Sequence, residues 1–380
     1  MSETCKPTDK KCMDTCTNAE LSAKITVCVS STCTIREGLT TKKISNHACK
    51  IPMRDRTKLV SYAGVIGGGL ALIAFILRMM ARLPFFNGGQ FGMDDACMIV
   101  VMLFTIPFSA LSVVLADAGL GKDMWEVSFD DITHILYIYY FDESIYLAAL
   151  TMTKISLHFF YLRIFPSKNF RIAIYITMAA TLAYGIAFIL VSIFQCDPIK
   201  SAWLRWDGTA PGYCRNINMQ GWMSAALNIV LDLVTLFLPI RELSKLELWR
   251  KKKIHICLMF TVGSFVTIVS ILRLRTLVLF ATTHNLTWDY VELGYWSTIE
   301  IHVGIICACM PAMRSLFRRV FPKVFSYTEH SKSGTFGTFN SHEDSMMRSA
   351  DRLSQAKKLQ ESDAVPLVDV QRQQNYYHAM

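Results

Sequence analysis

The sequence is short of charge. Asp, Glu, Lys and Arg supply 18% of its 380 residues, whereas 52% are apolar. Soluble chains carry about a quarter charged residues, so a soluble fold is disfavoured, and a mean hydropathy of +0.32 agrees. Also missing is any long basic run interleaved with aromatics, so the formal net charge of +9 does not mark a nucleic-acid surface. No His-Glu-x-x-His, Gly-x-Ser-x-Gly, P-loop or dinucleotide fingerprint occurs, which weighs against an enzyme and implies no cofactor. Nothing ahead of Cys5 resembles a signal peptide. Cysteine is scarce except at the front, where Cys5, Cys12, Cys16, Cys28, Cys33 and Cys49 make six of the chain's twelve.

What is present is long apolar runs. A bilayer core of about 30 Å needs roughly 20 apolar residues per helix. Seven segments of that kind stand out, at about 59 to 82, 96 to 117, 136 to 164, 171 to 195, 219 to 240, 254 to 280 and 293 to 314. They predict an all-α membrane protein, a bundle of seven transmembrane helices with a small disulfide-rich segment in front over 1–50. A polar tail over 322–380, poor in large apolar residues and rich in Ser, Thr and Gly, is expected to be disordered and open to phosphorylation.

Orientation follows from Lys and Arg near the helix ends. Fifteen follow spans one, three, five and seven, among them Arg78, Arg82, Arg163, Arg241, Arg250, Lys251, Lys252 and Lys253. The loops on the other side hold four, and the loop after span two is acidic instead. The amino terminus is therefore expected outside and the carboxyl terminus inside, although Lys50, Arg54, Arg56 and Lys58 pull the other way. The Asn285-Leu286-Thr287 sequon then falls outside, as a candidate glycosylation site at Asn285. Cys196 and Cys214 also fall there, flanking a loop with Pro198, Gly208, Pro211 and Gly212 that can fold back into a disulfide. The six front cysteines would share that oxidising side, with span one itself directing insertion.

Span three is the least apolar. Glu143, Leu147, Leu150, Lys154 and His158 recur at helical spacing, which puts its ionisable residues on one face. Such groups inside a bilayer usually face the bundle interior and find partners. Glu143 lies eleven residues from Lys154, about 16 Å along the axis, too far to pair with it. Asp232, which shares a face with Asn228 on span five, is the first expected partner of Lys154, and Glu300 on span seven is the second. Such a cluster serves as a ligand pocket or switch, or as a structural network that fixes packing. Arg273 and Arg275 on span six are expected to snorkel to the interface. Span seven, from Leu293 to Met313, holds no lysine, which excludes a retinal Schiff base and with it light sensing.

The stretches TMTKISLHFFYLRIFP, FQCDPIKSAWLRWDGTAPGYCRNINMQGWMSAALNIVLDLVTLFLPI, FTVGSFVTIVSILRLRTL and TWDYVELGYWSTIEIHVGIICACMPAMRSLF resemble the fungal rhodopsin-like heptahelical domain. Its Pth-type members are G-protein-coupled-receptor-like proteins. The resemblance runs over 59–321. Where animal rhodopsin-class receptors carry Asp-Arg-Tyr and Asn-Pro-x-x-Tyr, this chain reads FYLRIFP and ACMPAMR. The front segment is similar to part of a CFEM module: Cys5, Asp9 and Cys12 fit its centre, Cys16 comes two residues late, and Cys28, Cys33 and Cys49 fit its second half. The module's first two cysteines are absent, so a shortened module or a missing first exon is expected. In that family an Asp at the place of Asp9 can ligate haem iron; a disulfide-stapled ectodomain is the favoured reading here.

Together these features predict a multi-pass plasma-membrane receptor for an unknown extracellular ligand, with the loop from Arg241 to Lys253 facing an effector. The resemblance implies a heterotrimeric G protein as that partner, beside the lipid bilayer itself. The rival readings are a transporter or channel with Glu143, Lys154, Asp232 and Glu300 as a polar path, and a cell-surface adhesion protein worked by its CFEM-like front.

Overall fold

A computed structural model describes Cys16 and residues 19–83, 90–244, 250–280 and 285–320. Cys5, Asp9, Cys12 and the tail from Pro322 lie outside the described residues. Arg241, Arg250, Lys251, Lys252 and Lys253 lie on helical backbone, but their side chains are outside the description.

The chain is an all-α membrane protein. Two short helices, α1 (Ala19–Thr32) and α2 (Ile35–Ala48), precede seven long ones. These are α3 (Thr57–Arg82), α4 (Met93–Asp117), α5 (Phe129–Ile164), α6 (Lys168–Ile193), α8 (Ile217–Ser244), α9 (Arg250–Phe280) and α10 (Leu286–Val320), with the one-turn α7 (Ser201–Leu204) between α6 and α8. Among the described residues, α3, α4, α5, α6, α8 and α10 are long and apolar enough to cross a membrane. The 31-residue α9 carries Arg273 and Arg275 in its second half.

Sequential neighbours pack side by side, and α10 closes the ring by lying along α3. The 36-residue α5 touches α4, α6, α8 and α10, so its face is the interior of the bundle. That position explains its composition: Lys154, Ser156 and His158 are buried within it. The main apolar core joins Ala71, Met98, Val101, Leu147, Leu150 and Ile305 from α3, α4, α5 and α10. Lipid tails are as apolar as leucine, so this core supplies close packing rather than a hydrophobic drive, and small residues and polar ties gain weight.

The glycine triplet of α3 shows that packing. A Cβ on Gly67 would run into the His302 ring, and one on Gly68 would come 2.7 Å from Ser109 Oγ, whereas at Gly69 nothing lies within 4 Å. His302 Nε2 meets Ser109 Oγ at 3.0 Å, so α3 is drawn against a polar α4–α10 contact. Gly67→Ala is therefore expected to cost about 1–3 kcal/mol. Gly69→Ala should be neutral or slightly stabilising, because alanine is the better helix former. Thermal unfolding of the two purified variants checks this contrast.

The end of the bundle bearing α1 and α2, here the capped end, is sewn together by backbone. Arg56 N–H donates to Gly121 O at 2.8 Å and Gly121 N–H to Thr287 O at 3.0 Å. Gly121 has φ +110° and its Cβ would sit 2.6 Å from the Thr57 amide, so only glycine fits. Cys196 and Cys214 face each other in a two-residue antiparallel ladder of β1 (Cys196–Asp197) and β2 (Tyr213–Cys214) and are disulfide-bonded.

At the front, Cys16 is bonded to Cys49. The expectation that Cys28 and Cys33 are also oxidised is corrected: both are free and exposed. Cys28 sits within α1, and Cys33 lies just beyond its last residue, Thr32.

Candidate functional site

The site grows from Lys154. It is 4% exposed, deep inside the bundle, where a lone ammonium is untenable. Its Nζ lies 2.6 Å from Asp232 Oδ1 and donates to Asn228 O at 3.1 Å. Asn228 Nδ2 donates to Glu300 Oε1 at 2.8 Å and to Asp232 Oδ2 at 3.3 Å, which makes this amide the bridge between the two carboxylates. Glu300 is fully buried and accepts from Tyr146 Oη at 2.6 Å and from Ser270 Oγ at 2.5 Å. Ser270 has a single hydroxyl hydrogen, so its contacts with Asp232 Oδ2 at 3.2 Å and with Val266 O at 3.1 Å are alternative bonds it can make.

The last member is Arg273, which corrects an expectation. Rather than snorkelling outward, it turns into the bundle: its Nε donates to Ser297 Oγ at 2.8 Å and lies 3.9 Å from Glu300 Oε2, with the guanidinium 4.3 Å from the Tyr146 ring centre. The cause is the polar face of α10 opposite it. Arg275 does remain exposed.

Two cations and two carboxylates therefore share one buried network, formally neutral, whose members come from α5, α8, α9 and α10. Inside a bilayer this balance is what makes such groups tolerable. Because Ser270 has two carboxylate acceptors and Asn228 bridges both, protons and hydrogen bonds can be redistributed without exposing an unpaired charge. His158 lies one turn further along α5, with Nε2 3.1 Å from Thr235 Oγ1 on α8. Glu143, toward the capped end, forms no ion pair among the described residues.

A second charged cluster gathers Arg78, Arg82 and Arg163, which the sequence alone places among the charges at helix ends. Arg78 is 1% exposed and uses each arm of its guanidinium: Nε to Asp95 Oδ1 at 2.9 Å, Nη2 to Asp94 Oδ2 at 2.6 Å, and Nη1 to Ala308 O at 2.6 Å. Arg82 reaches the same two carboxylates, at 3.0 and 3.1 Å. Arg163 at the end of α5 reaches Asp94 at 3.3 Å and Gln90 O at 2.6 Å. The cluster ties α3, α4, α5 and α10 at the end opposite the capped one. Adjacent carboxylates Asp94 and Asp95 opening a span, also favoured by the positive end of the helix dipole, were the signal that was there to find.

At the capped end the front segment is held by charge. Arg36 lies 2.7 Å from Asp207, Arg54 is 2.5 Å from Asp123, and Glu126 meets His47 at 3.3 Å and Lys43 at 3.8 Å. Burial pushes the Asp207 carboxyl up, but hydrogen bonds from Thr209 and Arg36 outweigh it and hold the group below the usual aspartate range. The bond to Asp123 in turn raises Arg54. Asn285 is used structurally: Oδ1 accepts from the Met124 amide at 2.9 Å, and Nδ2 donates to Asp123 Oδ1 at 2.8 Å. Thr287 is buried. A glycan on Asn285 would require this amide to turn out, so the arrangement does not favour the sequon's use.

Comparison with known proteins adds a family. The fungal rhodopsin domain matches residues 77–319. A "SAT4 family membrane protein" of Emericella nidulans is 30% identical over 249 residues, covering 65% of this chain and 62% of that protein. "Satratoxin biosynthesis SC1 cluster protein 4" of Stachybotrys chartarum is 26% identical over 47% of this chain and 63% of its own length. "Receptor GIN3" of Arthrobotrys oligospora is 24% identical over 58% of this chain and 54% of its own length. The chain thus spans less than two thirds of each of these relatives. No solved structure matches it significantly.

Proposed function

The chain belongs to the fungal rhodopsin domain family, and from that premise we propose that it is a receptor of the plasma membrane, not an enzyme. In this reading the capped end faces outward and receives a cue. The basic stretch from Arg241 to Lys253 faces the cytoplasm and an effector, with a heterotrimeric G protein as the partner. The observation that carries the reading is the neutral network of Lys154, Asp232, Glu300 and Arg273, shared by four helices and able to exchange hydrogen bonds at Ser270. A network of this kind has alternative arrangements, and a ligand that favours one of them shifts the bundle. The name of the receptor relative supports the same direction.

The test is a second-messenger and G-protein association assay in fungal cells expressing the chain, exposed to surface and lipid cues. A messenger response that depends on the chain, with G protein recovered alongside it, is expected. Cue-independent messenger levels combined with chain-dependent solute uptake would replace the receptor by a transporter.

A further inference from the structure

A cavity of about 420 Å3 opens at the capped end between α2, the linker after it and the loop joining α4 to α5. That volume falls in the range of small-molecule sites, roughly 300–1,000 Å3. Ile51, Pro52 and Met53 supply apolar lining, and Ile51 and Met53 stay 53% and 69% exposed although they lie outside the spanning helices. Trp125 lines it as well.

The charges around the cavity do not cancel evenly. Asp123 is taken up by Arg54 and Asn285, and Glu126 by Lys43 and His47. Lys42 has no carboxylate partner among the described residues; its ammonium rests over the Trp125 ring, 4.1 Å from the centre. Asn46, one turn along the same face of α2, makes no side-chain hydrogen bond among the described residues, and both residues line the cavity. An unpaired ammonium and an unused amide beside an apolar wall suit one kind of guest. An amine would meet carboxylates that are already engaged, and a neutral molecule would leave Lys42 unanswered.

We propose that this cavity binds a small organic anion, its acidic head on Lys42 and Asn46 and its apolar body against Ile51, Pro52 and Met53. The inference deepens the receptor reading by giving the class of cue, and it rests on that reading only for the consequence of binding. Binding itself is measured apart from signalling.

The experiment uses the full chain in nanodiscs of zwitterionic lipid, with saturation-transfer NMR titrations of sodium octanoate, octanol and octylammonium. Octanoate is expected to bind saturably and about tenfold more tightly than either analogue, a charge-assisted bond being the difference. Lys42→Gln and Asn46→Asp should each weaken octanoate about tenfold, and Lys42→Arg should retain it. Lys42 is exposed, so these changes leave the fold intact, and mass mapping of the Cys16–Cys49 bond verifies that the segment is held. Equal affinity for the three probes, tighter octylammonium, or octanoate binding unchanged by Lys42→Gln would overturn the proposal. Octanoate binding without any messenger response would leave the site standing and count against the receptor reading alone.

Discussion

Arg78→Met is expected to be among the most damaging single substitutions in the bundle, costing about 3–5 kcal/mol, the range for breaking a buried ion pair. That is a large part of an ordinary folding stability of about 5–15 kcal/mol. The reason is geometric as well as electrostatic. Three separate arms of Arg78 hold Asp94, Asp95 and the Ala308 carbonyl, so its loss unties α10 from α3 and α4 together. Lysine keeps the charge but has no planar fork, so Arg78→Lys should recover only a minor part. The three arginines should rank by burial, since their side chains are 1%, 15% and 34% exposed at Arg78, Arg82 and Arg163. Thermal unfolding and surface expression of the three Met variants measure the ranking. Arg163→Met proving the worst would show that the cluster is held from the end of α5 instead.

The second large effect is the coupling of Lys154 to Asp232. Lys154→Met strands a carboxylate, and Asp232→Asn strands an ammonium; each is expected to cost about 3–5 kcal/mol. The double variant leaves neither charge alone and should fall short of the sum of the singles by roughly 2–3 kcal/mol, a strong coupling for a contacting pair. Glu300→Gln combined with Lys154→Met should be closer to additive, because Glu300 takes its bonds from Tyr146, Asn228 and Ser270. If the Asp232 cycle is additive instead, the 2.6 Å pair contributes nothing and the network is a packing device alone.

Much of the helical architecture is legible in the chain because a bilayer imposes length and apolarity on every span. Less of the charged interior is. Carboxylates inside a span are rare, so Asp232 and Glu300 stand out, and four-residue spacing puts Lys154 and His158 on one face of α5. At helix ends the same rules mislead. Arg78, Arg82 and Arg163 sit where loop charges are expected, and whether they face water or protein depends on helix rotation, which hydropathy does not set. Arg273 fails for the same reason, since only the position of Ser297 and Glu300 on α10 draws it inward. Arg54 and Arg56 opposed the charge count because they are not free loop cations: they reach Asp123 and Glu292, partners distant in sequence. The pairing of Cys16 with Cys49, leaving Cys28 and Cys33 free, depends on two helices that cysteine spacing does not disclose.

All functional readings depend on which end of the bundle faces out, and tag accessibility on intact cells measures that most directly. An epitope ahead of Cys5 is expected to bind antibody without permeabilisation, and one after Met380 only after it. A carboxyl-terminal tag reached on intact cells would put the basic stretch from Arg241 to Lys253 outside and the capped end inside, and would contradict the receptor.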